Sequence, residues 1–530
     1  MSVGYVRAAY LACLVFFGFA VGRFYDPATG FTSLISIGDA INERQMTKLR
    51  RVPHFVYENS AGYDGAYYVQ LALYPTLQNP RLTTAIDNLQ YRARRILFCW
   101  VAWAAGLDQP AWIVQVFALI NVVSWFALAW TLLRWFPASS WENFLRWGGV
   151  MLSQGLCMSV RNSLVDGPAL LLVALALAAW EDGRKRRATV ILALAGLGRE
   201  TSLLGLAAFA PGEWRDAPAW RRFVTAGIWA VLPLLTWVMY LRWKFGMLNE
   251  TGLNNFTLPL AGLGEKWGET VAMIMEQPYL HAARATLAVM IALTVQFLFF
   301  GLRWRPREIW WRIGATFALM LMFLSTPVWE GFPGAAARVL LPMTLAFNLL
   351  VPRGRQWLGV LIAGNLSVIA GYTEFSLPVR EFFQVSVAPE VAGNVRVTRT
   401  AGWHGAEEHW GTRWRWSSGQ SDLVLRNTAN APVMIVCTGT VKTASDNRRL
   451  NISVRSLAGP TTEAASVWSG ELTGQESSAK FQFAATIPPG ETVLSFASDK
   501  PGHPIGHDTR ILAFKISDLE IVVKPATGHP

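Results

Sequence analysis

Six arginines and four carboxylates stand at the ends of apolar runs in the first two thirds of this chain. Asp64 lies in Gly62-Tyr-Asp-Gly-Ala-Tyr-Tyr68, and Arg92, Arg94 and Arg95 lie in Tyr91-Arg-Ala-Arg-Arg95. Arg161 is followed by Asp166, Arg199 by Glu200, and Glu330 by Arg338. A charge near a hydrocarbon layer is costly to desolvate and marks a functional site by default. Guanidinium forks bind phosphate bidentately while an apolar chain can stay in the bilayer, so the set suits an anionic amphiphile. If that amphiphile is a polyprenyl-phosphate sugar, the phosphate is already a competent leaving group and needs no general acid. Arg94, Arg95, Arg161, Arg199 and Arg338 then hold it and stabilise the charge that accumulates on it. Tyr63, Tyr67, Asp166, Glu200 and Glu330 support them. The acceptor hydroxyl does need a base, and a carboxylate raised toward neutral pH by partial desolvation serves; that role falls to Asp64. Attack opposite the departing phosphate inverts the anomeric centre. Plainer readings stand beside these. An Asp-Gly pair is a common turn. Arg199 with Glu200, and Arg161 with Asp166, read equally well as ion pairs that satisfy each other.

The elements that must position these residues are membrane helices. The 530 residues are 52% hydrophobic and only 15% charged, with 25 tryptophans, where a soluble chain would be about a quarter charged. From Tyr372 onward Lys+Arg and Asp+Glu are equal in number, 15 of each, so the whole net charge of +12 falls in the preceding part. That distribution disfavours nucleic acid as a partner. Clusters such as Arg184-Lys185-Arg186-Arg187, Arg221 with Arg222, and Arg353 with Arg355 follow apolar runs, as cytoplasmic loops do. The four cysteines lie far apart and imply no disulfide framework or metal site.

The sequence therefore divides into 1–371, a multi-span helical domain with an external loop at 23–94, and 372–530. About 11 to 13 spans are expected. The loop, with its short apolar pieces, reads as amphipathic helices lying on the outer membrane face. If the basic loops on either side of Ala188 to Pro211 share one face, that run goes out and returns, breaking at Gly198-Arg199-Glu200-Thr201. The side on which the chain lies between Arg95 and Arg134 does not follow, because two apolar runs there fail to reverse it. After Gly371, short alternating stretches such as Asp422 to Arg426, Val433 to Cys437, Asn451 to Arg455, Thr492 to Phe496 and Ile511 to Lys515 predict an all-β sandwich, placed outside. Its stretch Gly402 to Trp416 sets aromatic faces beside carboxylates and arginines. Trp403, Glu407 and Trp410 are candidate glycan contacts, Trp414 and Trp416 alternate like inward strand positions, and Asp508 with Arg510 reads as a structural ion pair.

No Walker phosphate loop, strand-associated GxGxxG, HExxH or Ser/His/Asp arrangement is present, which weighs against ATP-driven transport and zinc proteolysis. A first helix, a long loop holding Tyr63-Asp64-Gly65, the Tyr91-Arg-Ala-Arg-Arg95 entry to the next span and the Arg199-Glu200-Thr201 break resemble GT-C fold integral-membrane glycosyltransferases. More narrowly, the chain resembles a bacterial family associated with cell-surface glycopolymer formation, over roughly Tyr5 to Gly371. The resemblance implies a multi-pass protein of the bacterial cytoplasmic membrane whose active site and C-terminal domain face the periplasm. It implies an inverting transfer from a polyprenyl-phosphate-linked sugar to a surface glycan or lipid-linked acceptor. It matches Asp64 to the family's catalytic acidic residue, with Asp26 and Asp39 as substitutes. No Asp-X-Asp occurs in the first loop, so a divalent metal has no motif to support it, and no other cofactor is implied. Two further readings are a polymerase or ligase of lipid-linked oligosaccharides and a non-catalytic glycan transporter or export scaffold.

Overall fold

The computed structural model describes residues 3–57, 60–213, 215–246, 252–331, 333–378, 381–388, 391, 395–400, 402–409, 412–444, 446–457, 464–473, 478–505 and 508–526. The chain forms two compact units, Met1–Leu377 and Pro378–Pro530. The division falls six residues later than the change of sequence pattern. The helix Ser367–Thr373 buries Ala370 and Gly371, and Phe375 and Leu377 pack on the helical core.

Four helices among the described residues are long and apolar enough to cross a membrane: Val3–Gly22, Pro110–Leu132, Ala217–Phe245 and His281–Leu302. Three shorter apolar segments, Glu200–Phe209, Ile309–Phe323 and Leu341–Leu350, stand beside them. Apolar runs that read as single pieces are in places broken: Gly148 to Val160 is divided between Trp141–Met151 and Gln154–Arg161. The interval between Arg95 and Arg134 also resolves. Leu97–Ala105 has nine residues and rises only about 13 Å, too little to span, so Pro110–Leu132 is the one helix of spanning length there. The main core of this unit is aromatic at its centre, with Phe17 stacked on Trp125 at 3.6 Å and the Tyr10 hydroxyl donating to the Phe136 carbonyl.

The expected external loop is helical and has a core of its own. It folds into short helices, Thr32–Ile35, Asp39–Arg44, Thr47–Arg50, Asp64–Leu73, Leu82–Ala85 and Leu89–Ala93. These share a second core built from Ile37, Leu49, Tyr68 and Leu71, closed by Phe117 and Ala118 of Pro110–Leu132. Asp64–Leu73 is buried on nearly every side, only Asp64 and Tyr67 being partly exposed. Its sequence, Asp-Gly-Ala-Tyr-Tyr-Val-Gln-Leu-Ala-Leu, has a single charge, at the first residue. A helix apolar all round has no face to give to water.

The second unit is all-β. One sheet runs Trp403–His409, Thr412–Ser417, Phe514–Pro525, Val433–Thr443, Ser478–Ile487, with Phe383–Val387 pairing parallel to Phe514–Pro525. The other runs Val395–Arg399, Gln420–Asn427, Gly490–Ser498, Arg448–Ser456, Ala465–Leu472. Ile435, Cys437, Phe481 and Ile516 from the first sheet join Leu423, Leu425, Ile452 and Phe496 from the second in one core. The five stretches read as strands all fall on strands, although Ile511 to Lys515 is divided at Ala513 between two of them.

Trp414 and Trp416 correct the sequence reading. Arg415 and Ser417 are buried, and the two tryptophans lie half-buried on the opposite face, with Lys515 Nζ 4.2 and 5.4 Å from their rings. The neighbouring strand sets this register. Phe514 and Ile516 face the core and stand directly opposite Ser417 and Arg415, so the intervening tryptophans must face away. Arg415 is tolerated inside because its guanidinium donates to both oxygens of Glu381 and to the His404 carbonyl.

Candidate functional site

Asp64 is placed by the two glycines around it. Gly62 has φ +74°, a conformation glycine adopts without strain, and Tyr63 N–H then donates to the Ser36 carbonyl at 2.9 Å. A Cβ at Gly65 would come within 2.3 Å of the Asn162 carbonyl oxygen, so only glycine allows the helix start to seat there. Asp64 opens the helix, where a negative charge is favoured by the helix dipole.

The arginines arrive from three separate pieces of chain, and Asp166 from a fourth. The short helix Leu89–Ala93, capped by Asn88 Oδ1 accepting from Tyr91 N, ends in Arg92, Arg94 and Arg95. The helix Lys185–Gly198 ends at Arg199, whose backbone is extended, before the tighter 3-10 helix Glu200–Phe209 begins; the expected break at this sequence is present. Asp166 opens Asp166–Glu181, and Arg338 lies in the short helix Ala336–Val339.

Together they form a chain of ion pairs. Arg92 reaches Asp64 Oδ1 at 2.8 Å, and Arg338 Nη2 donates to Asp64 Oδ2 at 3.1 Å. The other end of the Arg338 fork donates to Asp166 Oδ2 at 3.1 Å, and Asp166 also accepts from Arg199. Arg95 holds Glu200 through both carboxylate oxygens, at 2.7 and 2.8 Å, and donates to the Tyr68 and Tyr91 hydroxyls. Arg92 is further held by Asp87 on the rim and lies over the Tyr67 ring at 5.0 Å; Arg338 lies over Tyr63 at 5.5 Å.

This network borders a cavity of about 410 Å³ whose wall includes Asp64, Arg92, Arg94, Arg95, Arg199 and Arg338. Its lining also has apolar residues, among them Phe256, Met320, Leu324 and Val328. Arg94 differs from the other arginines. Among the described residues its buried Nε and Nη2 have no hydrogen-bond partner, and its guanidinium stacks on Tyr91 at 4.6 Å. Five arginines and two carboxylates, Asp64 and Glu200, line this cavity, so its lining is strongly cationic; Asp166 and Asp87 pair with the arginines from beyond it, and among the described residues Arg94 has no carboxylate partner.

Several sequence assignments change here. Burial acts to raise the Asp64 carboxyl, but Arg338, Arg92 and Arg95 outweigh it and hold the group well below the ordinary carboxylate range, not near neutrality. Arg161 is not with the other arginines. It donates to the Ser33 carbonyl, Ser36 Oγ and the Tyr57 hydroxyl, and it borders a different cavity, beside His281 and Glu374. The sequence-adjacent pairs are not the pairs that form: Asp166 goes to Arg199 and Arg338, and Glu200 goes to Arg95. Glu330 is exposed and outside the cavity wall. Arg92, Tyr68 and Asn255 complete the site without having been assigned a role. Arg92 and Tyr68 lie inside the two motifs already singled out, whereas nothing in the sequence around Asn255 signals it.

In the β unit, Trp403 packs on Phe382, Phe496 and Phe514 and donates its indole N–H to the Asp422 carbonyl, so the core takes up that ring. Glu407 accepts from Trp414 Nε1 and from Arg510, which pairs with Asp508 as expected. Trp410 lies outside the described residues. Asp26 caps the turn at Ala28 and Thr29, and Asp39 accepts from Ser60 N, so neither stands in the cavity wall. Among the described residues, no group of three or more His, Cys, Asp or Glu side chains is arranged to hold a metal.

No family model matches the chain, and no curated protein does. Among solved structures, it is similar to the arabinosyltransferase EmbB from Mycobacterium smegmatis, with 12% sequence identity and a TM-score of 0.27 over 86% of this chain and 62% of that one. The chain thus spans under two thirds of the length of that structure. A likeness of this degree assigns neither fold nor function.

Proposed function

We propose that this protein is an inverting, GT-C-type membrane glycosyltransferase. It moves a sugar from a polyprenyl-phosphate carrier to an extracytoplasmic glycan or lipid-linked acceptor. The observation that carries the reading is the cavity in which Asp64 is shared between Arg92 and Arg338 beside the unpaired Arg94. A polyprenyl-phosphate sugar is a phosphodiester with one negative charge, and the cavity lining carries more guanidinium than carboxylate groups. The apolar lining residues give the carrier chain a surface to follow, and the four helices of spanning length fit a substrate held in a bilayer.

The low proton affinity of Asp64 in the resting site becomes part of the mechanism. An incoming phosphate takes hydrogen bonds from Arg94 first and then competes for Arg92 and Arg338. As those two forks turn to the phosphate, Asp64 loses the charges that depress its pKa and its basicity rises. The acceptor oxygen attacks the anomeric carbon opposite the phosphate, and its proton passes to Asp64. The bond from the anomeric carbon to the phosphate oxygen breaks, and its electron pair leaves on polyprenyl phosphate, which gains a second negative charge. Arg92, Arg94 and Arg338 stabilise that charge as it develops, which is where an electrostatic contribution accelerates the step.

The test is transfer by the purified protein in lipid, from a panel of polyprenyl-phosphate sugars to extracted surface glycan. The anomeric configuration of the product is read by NMR. Inverted product supports the reading; retained configuration, or donor hydrolysed without transfer, overturns it.

A further inference from the structure

A second cavity, unconnected with the first, lies at the other end of the helix Lys185–Gly198. Fourteen residues at 1.5 Å each separate the two ends by about 20 Å. This groove runs between that helix and Ala217–Phe245 and has a volume of about 1100 Å³, above the roughly 300–1000 Å³ typical of small-ligand pockets. Its floor is apolar, with Val190, Leu194, Trp229 and Pro233 along it, and Val190 and Trp229 are 60% and 63% exposed. Its mouth is cationic, formed by Lys185, Arg186, Arg221 and Arg222.

Their place at the ends of apolar runs suits basic residues, but the helices that carry them do not call for them. Both groups stand near helix N-termini, where the dipole favours acidic residues, and neither first turn contains one. Among the described residues none of the four makes an ion pair. The carboxylates nearest in sequence are engaged elsewhere: Glu181 and Asp182 hold Arg134, and Asp216 caps the second helix through Ala219 N. The first N–H groups of Ala217–Phe245 are already taken, Ala217 and Trp220 donating to the Arg215 and Asp216 carbonyls and Ala219 to Asp216 Oδ1, so it is the four cationic side chains at this end of the groove that form the anion site. An apolar groove leading from it fits an anion attached to a long apolar chain. Ala217–Phe245 also needs a further contact, because only Ala230 and Leu241 of its 29 residues are buried in the protein.

We propose that this groove binds one anionic phospholipid of the surrounding bilayer. Its phosphate sits between Arg186, Arg221 and Arg222, and one acyl chain lies along Val190, Leu194, Trp229 and Pro233. The lipid fastens the exposed helix to the bundle. The inference does not depend on the transferase reading.

The full-length protein, purified from vesicles of equal phosphatidylglycerol and phosphatidylcholine, tests it by native mass spectrometry of the lipid that stays bound. Phosphatidylglycerol is expected to be retained at least about tenfold over phosphatidylcholine. The triple variant R186Q/R221Q/R222Q is expected to lose that preference, and R186K/R221K/R222K to keep most of it. Equal retention of both lipids by the wild type overturns the proposal without any variant needing to fold. Undiminished preference in the triple glutamine variant also overturns it, as does displacement of the lipid by millimolar inorganic phosphate, which would identify a free-anion site.

Discussion

Arg94 and Arg95 are neighbours in sequence and opposite in circumstance, which makes them a controlled pair. Arg95 is buried, holds Glu200 through two hydrogen bonds and donates to two tyrosine hydroxyls, so Arg95→Gln leaves a half-buried carboxylate and two hydroxyls without their partner. Breaking such a pair costs about 3–5 kcal/mol, and thermal unfolding should reveal it. Arg94 pairs with no carboxylate, so Arg94→Gln should change stability by under about 0.5 kcal/mol while weakening binding of a polyprenyl-phosphate sugar by about 1.5–3 kcal/mol. Wild-type donor affinity in that variant would remove Arg94 from phosphate recognition. The carboxyl of Asp64 gives a pH prediction. Its folded-state pKa is lowered, so its ion pairs contribute stability that is fully present above the unfolded value of about 4 and is lost only as pH falls through the folded value. In the free protein Asp64 is therefore ionised throughout pH 5–8, and on the transferase reading the profile of kcat/KM should show no break from it there. A limb centred near pH 6 would show that its carboxyl is raised instead.

The elements show which kinds of information the sequence carries locally. Gly62-Tyr-Asp-Gly65 marks a tight entry to a helix, and Gly198-Arg-Glu-Thr201 marks a break; both are read from a few residues and both are present. The partners of the charges were not legible in the same way. Asp64 meets Arg338 across 274 positions, and Arg95 meets Glu200 across 105, so sequence neighbours such as Arg199 and Glu200 looked like natural pairs and are not. The burial of Asp64–Leu73 was missed for a related reason: an apolar ten-residue run shows that a helix avoids water but not whether protein or lipid covers it. The close seat of that helix can be tested directly. Gly65→Ala would drive a methyl group against the Asn162 and Ile35 carbonyl oxygens, backbone atoms that cannot swing aside. A loss of about 1–3 kcal/mol in unfolding free energy is expected, together with reduced turnover because Asp64 moves with the helix start. Unchanged stability would mean that the contact relaxes at no cost.

At the scale of the molecule, composition separated an apolar helical part from a charge-balanced β part, and alternation located the strands, because both signals are summed over many residues. Which face of a strand turned inward was settled by its partner: Trp414 and Trp416 look outward because Phe514 and Ile516 oppose Ser417 and Arg415. The core those strands share predicts that Leu425→Ala costs the β unit about 2–5 kcal/mol in denaturant unfolding, since Leu425 is fully buried among both sheets. A loss under about 1 kcal/mol would mean that the two sheets do not pack as described. The central claim concerns the helical unit, where pieces of chain as distant as Asp64 and Arg338 assemble one anion-binding cavity around a single displaceable carboxylate. The most direct measurement compares wild type with Asp64→Asn, in lipid, for polyprenyl-phosphate-sugar binding and for sugar transfer to extracted glycan. Transfer is expected to fall by at least about 100-fold, the size of a lost general base, while donor binding holds or tightens because Arg92 and Arg338 are freed for the phosphate. Transfer at the wild-type rate would contradict that claim and leave Asp64 as a structural ion-pair partner.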